Sequence, residues 1–180
     1  FSPLFRNHSS MGTREQEPWR FGTEVLDIYR KYVKLRYRLL PYLYSEYMKA
    51  AISDDMYLKP LAFEYPLDTF APQVEDQLML GGEVMIAPVY TQNAKGRYVY
   101  LPEEMMFIKF MPDGSIYQEM LSPGHHYVEI PLNEVPLFIR TGKCIPVVEA
   151  AESVDELRTD TLELLGYPGA EYLLYDDDGV

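Results

Sequence analysis

One amphipathic segment, residues 24–52, constrains this chain more than any other feature. Apolar side chains fall at Val25, Ile28, Tyr29, Tyr32, Leu35, Leu39, Leu40, Leu43 and Tyr47, and polar ones at Asp27, Lys31, Lys34, Arg38, Ser45 and Lys49. That is the period of a long helix with one broad apolar face. Thr23 is expected as its N-cap, and Glu24 and Asp27 suit the positive end of the helix dipole. Pro41 lies inside the pattern and is expected to kink or split the helix. Arg36 stands on the apolar side and reads as half of a structural ion pair. So wide a face needs a large cover. Nearby, the sequence offers only a short strand at residues 56–63 (Met56 to Phe63) and a short helix at residues 73–80, stopped by Gly81-Gly82. The helical part is too short to close its own core.

From residue 83 the texture changes. Short apolar runs at 83–90, 96–101, 105–111, 115–120, 125–132, 136–148, 159–165 and 171–175 alternate with turns such as Pro112-Asp113-Gly114, Ser122-Pro123-Gly124, Thr141-Gly142-Lys143 and Pro168-Gly169. This is the rhythm of an antiparallel β-sandwich. Tyr98, Tyr100, Phe107, Phe110, Tyr117 and Tyr127 alternate as core side chains would. The acidic stretch from Glu149 to Asp160 reads as a linker. Residues 1–22 hold no regular period and are punctuated by Pro3, Gly12, Pro18 and Gly22. So long a loop is either functional or borrowed from a larger fold.

Composition narrows the function classes. Of 180 residues, 47% are hydrophobic and 14% aromatic, enough for a substantial core. The formal charge of −12 repels nucleic acid and anionic membrane, so neither partner is expected, while a neutral sugar is compatible. No apolar run approaches the ~20 residues of a membrane span. Cys144 is the single cysteine, so no intrachain disulfide can form and the chain reads as cytoplasmic. Phe1 is not an initiator Met, and Val180 follows an acidic turn; both ends read as cuts through a longer protein.

Few residues carry chemistry. His125 and His126 are adjacent at a strand start, point to opposite faces and cannot form one site. Neither they nor any carboxylate cluster has metal spacing, so no metal or cofactor is expected. There is no G-x-S-x-G elbow, and Cys144 reads as a small core residue. Asp176-Asp177-Asp178-Gly179 lacks the alternation of a calcium loop and reads as an acidic turn. Glu15, Glu17, Glu64 and Asp76 are the carboxylates nearest the first loop and the helix–strand unit, and none has a recognisable catalytic context. His8 differs. It sits in Phe5-Arg6-Asn7-His8-Ser9 among basic, amide and hydroxyl groups, and either a functional or a structural role fits. Asn7-His8-Ser9 also matches a glycosylation sequon, which the cytoplasmic reading makes idle. Composition and spacing alone stop at part of an α/β enzyme joined to a β-sandwich.

Ordered motifs take the reading further. Phe5-Arg6-Asn7-His8-Ser9 with Gln16-Glu17-Pro18-Trp19 resembles glycoside hydrolase family 31. In the family's order follow Leu35-Arg36-Tyr37-Arg38-Leu39-Leu40-Pro41-Tyr42-Leu43-Tyr44, similar to its last long barrel helix, and Lys59-Pro60-Leu61-Ala62-Phe63-Glu64-Tyr65-Pro66, similar to the next strand. Asp76-Gln77, Leu80-Gly81 and Ile86-Ala87-Pro88-Val89 resemble the exit from the barrel. Val135-Pro136-Leu137-Phe138-Ile139-Arg140-Thr141-Gly142-Lys143-Cys144-Ile145-Pro146 resembles the proximal β-sandwich, and Tyr175-Asp176-Asp177-Asp178-Gly179 the start of a distal β-domain.

The resemblance implies residues 1–80 as the C-terminal end of a (β/α)8 barrel, 81–158 as an antiparallel β-sandwich and 159–180 as the start of a second β-domain. It implies a retaining α-glucosidase acting on α-glucosides or small oligosaccharides, with catalytic aspartates on earlier barrel strands. No residue here corresponds to those aspartates, so the missing N-terminal part of the same enzyme becomes a required partner. His8 matches the histidine that hydrogen-bonds sugar hydroxyls in subsite −1. Lys59 stands where the motif usually has Arg, which forfeits a bidentate fork and alters a local ion-pair network. Three rivals stand beside this reading: α-xylosidase or another activity of the family; a non-catalytic carbohydrate-binding β-sandwich, which requires a flat aromatic platform on the strand-rich part; and a structural scaffold with no sugar role, which leaves the His8 loop unexplained.

Overall fold

The computed structural model describes residues 1–2, 6, 8–111, 113–131 and 133–177. Pro3, Phe5 and Asn7 of the first loop, Pro112 of its turn, and Asp178, Gly179 and Val180 lie outside the described residues.

The long helix is present as α1, Thr23–Ser53. Gly22, not Thr23, holds the N-cap position, with no side-chain cap, and Thr23 is already helical. Pro41 does not split the helix. It is buried beside Leu39, Tyr42 and Leu43, so tertiary packing outweighs one lost backbone bond. The helix ends at Asp54 in the left-handed conformation, with Asp55 N–H reaching Ala50 O at 2.9 Å. Every buried residue of α1 lies between Leu35 and Glu46; in its first three turns Val25 and Tyr29 are exposed, and Leu26, Ile28, Tyr32 and Val33 are half-buried.

Between α1 and residue 83 the structure departs from the sequence reading. The strand expected at 56–63 is only β1, Leu58–Pro60, followed by one helical turn, α2, Leu61–Glu64. The helix expected at 73–80 is a 3-10 turn at Ala71–Gln73 and then a strand, β2, Leu78–Leu80. Leu78-Met79-Leu80 alternates between two buried faces, and Gly81 at φ 65° turns the chain into β3, Val84–Ile86. A three-residue strand leaves no period to read.

The remaining strands follow: β4 Gly96–Leu101, β5 Met105–Phe110, β6 Ile116–Leu121, β7 Gly124–Glu129, β8 Leu137–Arg140, β9 Cys144–Val147 and β10 Glu163–Gly166. The single run expected at 136–148 is therefore two strands, separated at Gly142, φ 71°. Residues 171–175, expected as a strand, pair with no strand among the described residues. The linker holds one 3-10 turn, Val154–Glu156.

All pairing is antiparallel. Six strands form one sheet in the order β1-β2-β3-β8-β5-β6, while β4 pairs β7 and β9 pairs β10. One face of the large sheet presents Val84, Ile86, Ile108, Leu137 and Ile139 to Leu35, Leu39, Tyr42 and Leu43 of α1. Its other face presents Met79, Met85, Met105, Phe107 and Phe138 to Val99, Leu101 and Val128 of the β4–β7 ribbon. Two-sided burial explains why β3, β5 and β8 are apolar on both faces except at Lys109 and Arg140. The ribbon, by contrast, is covered on one face only. Phe107 and Phe110 are core as expected, but Tyr98, Tyr117 and Tyr127 are exposed. Alternation identifies two faces without saying which is covered.

Candidate functional site

The first loop is built from short local contacts. Gly12, at φ 82°, allows a turn in which Thr13 N–H and Oγ1 both donate to Ser10 O, at 3.2 and 2.7 Å. Pro18–Phe21 forms a 3-10 turn closed by Arg20 N–H to Glu17 O at 2.9 Å. Arg20 pairs with Glu15. Glu17 Oε2 is buried without a hydrogen-bond partner.

Within this loop His8 is exposed, and Arg6 Nη2 lies 3.2 Å from its Nδ1. Guanidinium nitrogens only donate, so this bond requires a lone pair on Nδ1. With that bond made, the imidazole proton sits on Nε2. The pair presents an N–H donor beside a fixed cation, which suits hydroxyl oxygens of a neutral ligand.

The other residues singled out in the sequence do not join His8. Glu64 and Asp76 are each tied into ion pairs elsewhere. Asp76 meets Arg97 at 2.7 Å and accepts from Tyr90 at 3.0 Å. Glu64 meets Arg140 at 2.6 Å, in a network the sequence did not announce. Arg140 also meets Glu103 at 2.6 Å and donates to Gly82 O at 3.1 Å, while Tyr65 OH donates to Glu103 at 2.9 Å. Lys59 sits at its margin, 2.6 Å from Asp55 and 3.9 Å from Glu64. Arg36 is half-buried and donates to Ser2 O at 2.7 Å. His125 packs edge-on against Phe70, ring centroids 4.4 Å apart, while His126 Nε2–H donates to Ser122 O, 2.7 Å away. Cys144 is buried, which pushes its thiol pKa up and keeps it unreactive. Among the described residues no group of His, Cys, Asp and Glu could hold a metal ion, and no helix is long and apolar enough to cross a membrane.

A second network binds the last described segment to α1. Buried Glu46 accepts from Tyr172 OH and Lys49 Nζ, both at 2.7 Å, and from Gly82 N–H at 3.1 Å. Beside it Ser45 Oγ accepts from Tyr175 N–H at 3.0 Å, and Tyr44 OH donates to Asp177 at 2.7 Å. Residues 171–177 are thus strapped along the helix by side chains. Glu83 lies next to this site. Burial, and then the nearby Glu46 carboxylate, push its pKa up.

Two family models match the chain: Glycosyl hydrolases family 31 TIM-barrel domain over residues 1–46, and Glycosyl hydrolase family 31 C-terminal domain over residues 54–145. "Alpha-glucosidase 2" of Bacillus thermoamyloliquefaciens is 36% identical over 99% of the chain. An "Alpha-xylosidase" of Saccharolobus solfataricus is 33% identical over 100% of it. The chain spans only 22% and 24% of those relatives' own lengths. Among solved structures, a Flavobacterium johnsoniae GH31 dextranase complexed with isomaltotriose is 34% identical and superposes with TM-score 0.68, covering 82% of this chain and 18% of that one.

Proposed function

This chain belongs to glycoside hydrolase family 31, and from that membership we propose that the whole enzyme releases α-linked glucose from small saccharides by a retaining double displacement. The chain carries the end of the catalytic barrel, with His8 on a loop at its mouth, followed by C-terminal β-structure. The aspartates that attack the anomeric carbon and protonate the leaving oxygen belong to the preceding part of the enzyme. The exposed Val25 and Tyr29 in the first turns of α1 support this reading, because the rest of a barrel would cover them.

The observation that carries a substrate role for His8 is its contact with Arg6. That contact, when made, puts the ring's N–H donor on Nε2. As positive charge grows at the anomeric carbon, hydrogen bonds to the 2-hydroxyl tighten, so part of their worth is realised only in the transition state. His8→Ala in the full-length enzyme is expected to lower kcat/KM on the order of 10²-fold, or ~3 kcal/mol, with a clear share in kcat. Melting temperature and both kinetic constants are measured on one sample. An unchanged kcat/KM beside a lowered melting temperature rejects the role.

The near-equal likeness to an α-xylosidase favours one second reading, a xylose-releasing enzyme. The two sugars differ by the C5 hydroxymethyl group, so the ratio of kcat/KM on aryl α-glucoside and aryl α-xyloside decides between them.

A further inference from the structure

The outer face of the β4–β7 ribbon is an aromatic surface. Two cross-strand pairs stand on it in sequence, Tyr98 opposite Tyr127 and Tyr100 opposite His125. The rings of the first pair meet at 5.1 Å and 66°, and those of the second at 5.0 Å. Phe70 extends the row, 4.7 Å from Tyr100 and 4.4 Å from His125. Tyr98 and Tyr127 are 73% and 53% exposed although the opposite face of the same strands is core. These rings are also held in place. A Cβ on Gly96 would stand 2.8 Å from Tyr127 Cζ, so the missing side chain leaves the space that the Tyr127 ring occupies. Tyr100 OH is anchored on Asp68 at 2.7 Å. Glu129, exposed beyond Tyr127, adds a hydroxyl acceptor at one end.

A row of fixed rings flanked by a carboxylate suits a ligand with both an apolar C–H face and outward hydroxyls. The charge of −12 excludes a polyanion. We propose that this face binds a neutral saccharide chain, with sugars stacked on the exposed rings of Tyr98 and Tyr127 in turn, giving the enzyme a grip on its substrate through residues other than the His8 loop. The choice of saccharide rests on the glycosidase reading.

The test is affinity electrophoresis of the full-length enzyme in gels containing soluble dextran or soluble starch, comparing it with the Tyr98→Ala/Tyr127→Ala variant. Both side chains are exposed, so melting temperature and turnover of a small aryl glucoside should stay unchanged. Retardation of the parent, weakened about tenfold in apparent Kd in the variant, supports the proposal. No retardation of the parent, or equal retardation of both, overturns it. Protection of Tyr98 and Tyr127 from nitration in the full-length enzyme also overturns it, since another part of the protein would then cover the face. Normal glycoside turnover with no retardation sinks the platform alone, whereas loss of retardation in an enzyme that cleaves no α-glycoside sinks the glycosidase reading alone.

Discussion

Gly81→Ala is a small change with a large expected cost. Gly81 turns β2 into β3 at φ 65°, which alone disfavours alanine by about 1 kcal/mol. The larger effect is contact. A Cβ at this position would lie 2.6 Å from Glu46 Cδ and closer still to its Cγ and Oε2. Glu46 cannot yield in place, because its carboxylate is held by Tyr172, Lys49 and Gly82. Moving it breaks charge-assisted hydrogen bonds worth about 1.5–3 kcal/mol each and leaves buried partners unsatisfied. Allowing for relaxation of the turn, the total destabilisation is about 3–5 kcal/mol. Urea unfolding of the chain followed by far-ultraviolet circular dichroism measures it. The decisive comparison repeats Gly81→Ala in a Glu46→Ala background, where the collision is absent and only the backbone cost, about 1 kcal/mol, should remain. Equal costs in both backgrounds would refute the steric argument.

Other outcomes follow from the same structure. Glu83 has a raised pKa in the folded state, so its contribution to stability is fully present below the unfolded carboxylate pKa and is lost as pH rises through the folded value. Glu83→Gln should therefore raise the melting temperature at pH 7.5 and leave it nearly unchanged at pH 4; a uniform shift would remove burial as the cause. The 180-residue chain alone should release no product from an aryl α-glucoside, and turnover that copurifies with it would contradict the placement of the catalytic aspartates elsewhere. The first three turns of α1, with Val25 and Tyr29 exposed, should bind an apolar dye and exchange amide hydrogens faster than residues 35–46. Equal protection along the helix would mean that the exposed side chains need no cover.

What the sequence revealed depended on length of period. The helix of 31 residues and the strands of six were legible because several repeats of one spacing agree. Residues 58–80 were not, because β1 and β2 contain three residues each and their identity comes from pairing with each other and with β3. Pro41 misled because local backbone cost was read without the core around it. The networks at Glu46 and Arg140 were invisible for another reason. Tyr172 lies 126 residues from Glu46, and Glu64 lies 76 residues from Arg140, so no local pattern announces either contact. His8 could be singled out from its polar neighbours, but only the resemblance supplied a role. Its bond to Arg6, two residues away, is a local contact on which the proposed role rests.

The strap across α1 has a consequence for the order in which the chain is made. Val148 N–H bonds Arg38 O at 3.0 Å, so the helix can dock once β9 has emerged from the ribosome. Glu46 must then wait for Tyr172, synthesised 126 residues after it. At roughly 5–20 residues per second the interval between Val148 and Tyr172 is about 1–5 s. Throughout it, a carboxylate destined for burial keeps its water and holds the middle of the helix ajar. Residues 171–177 therefore seal the middle of α1, and a nascent chain halted just before them would carry a docked but unsealed helix.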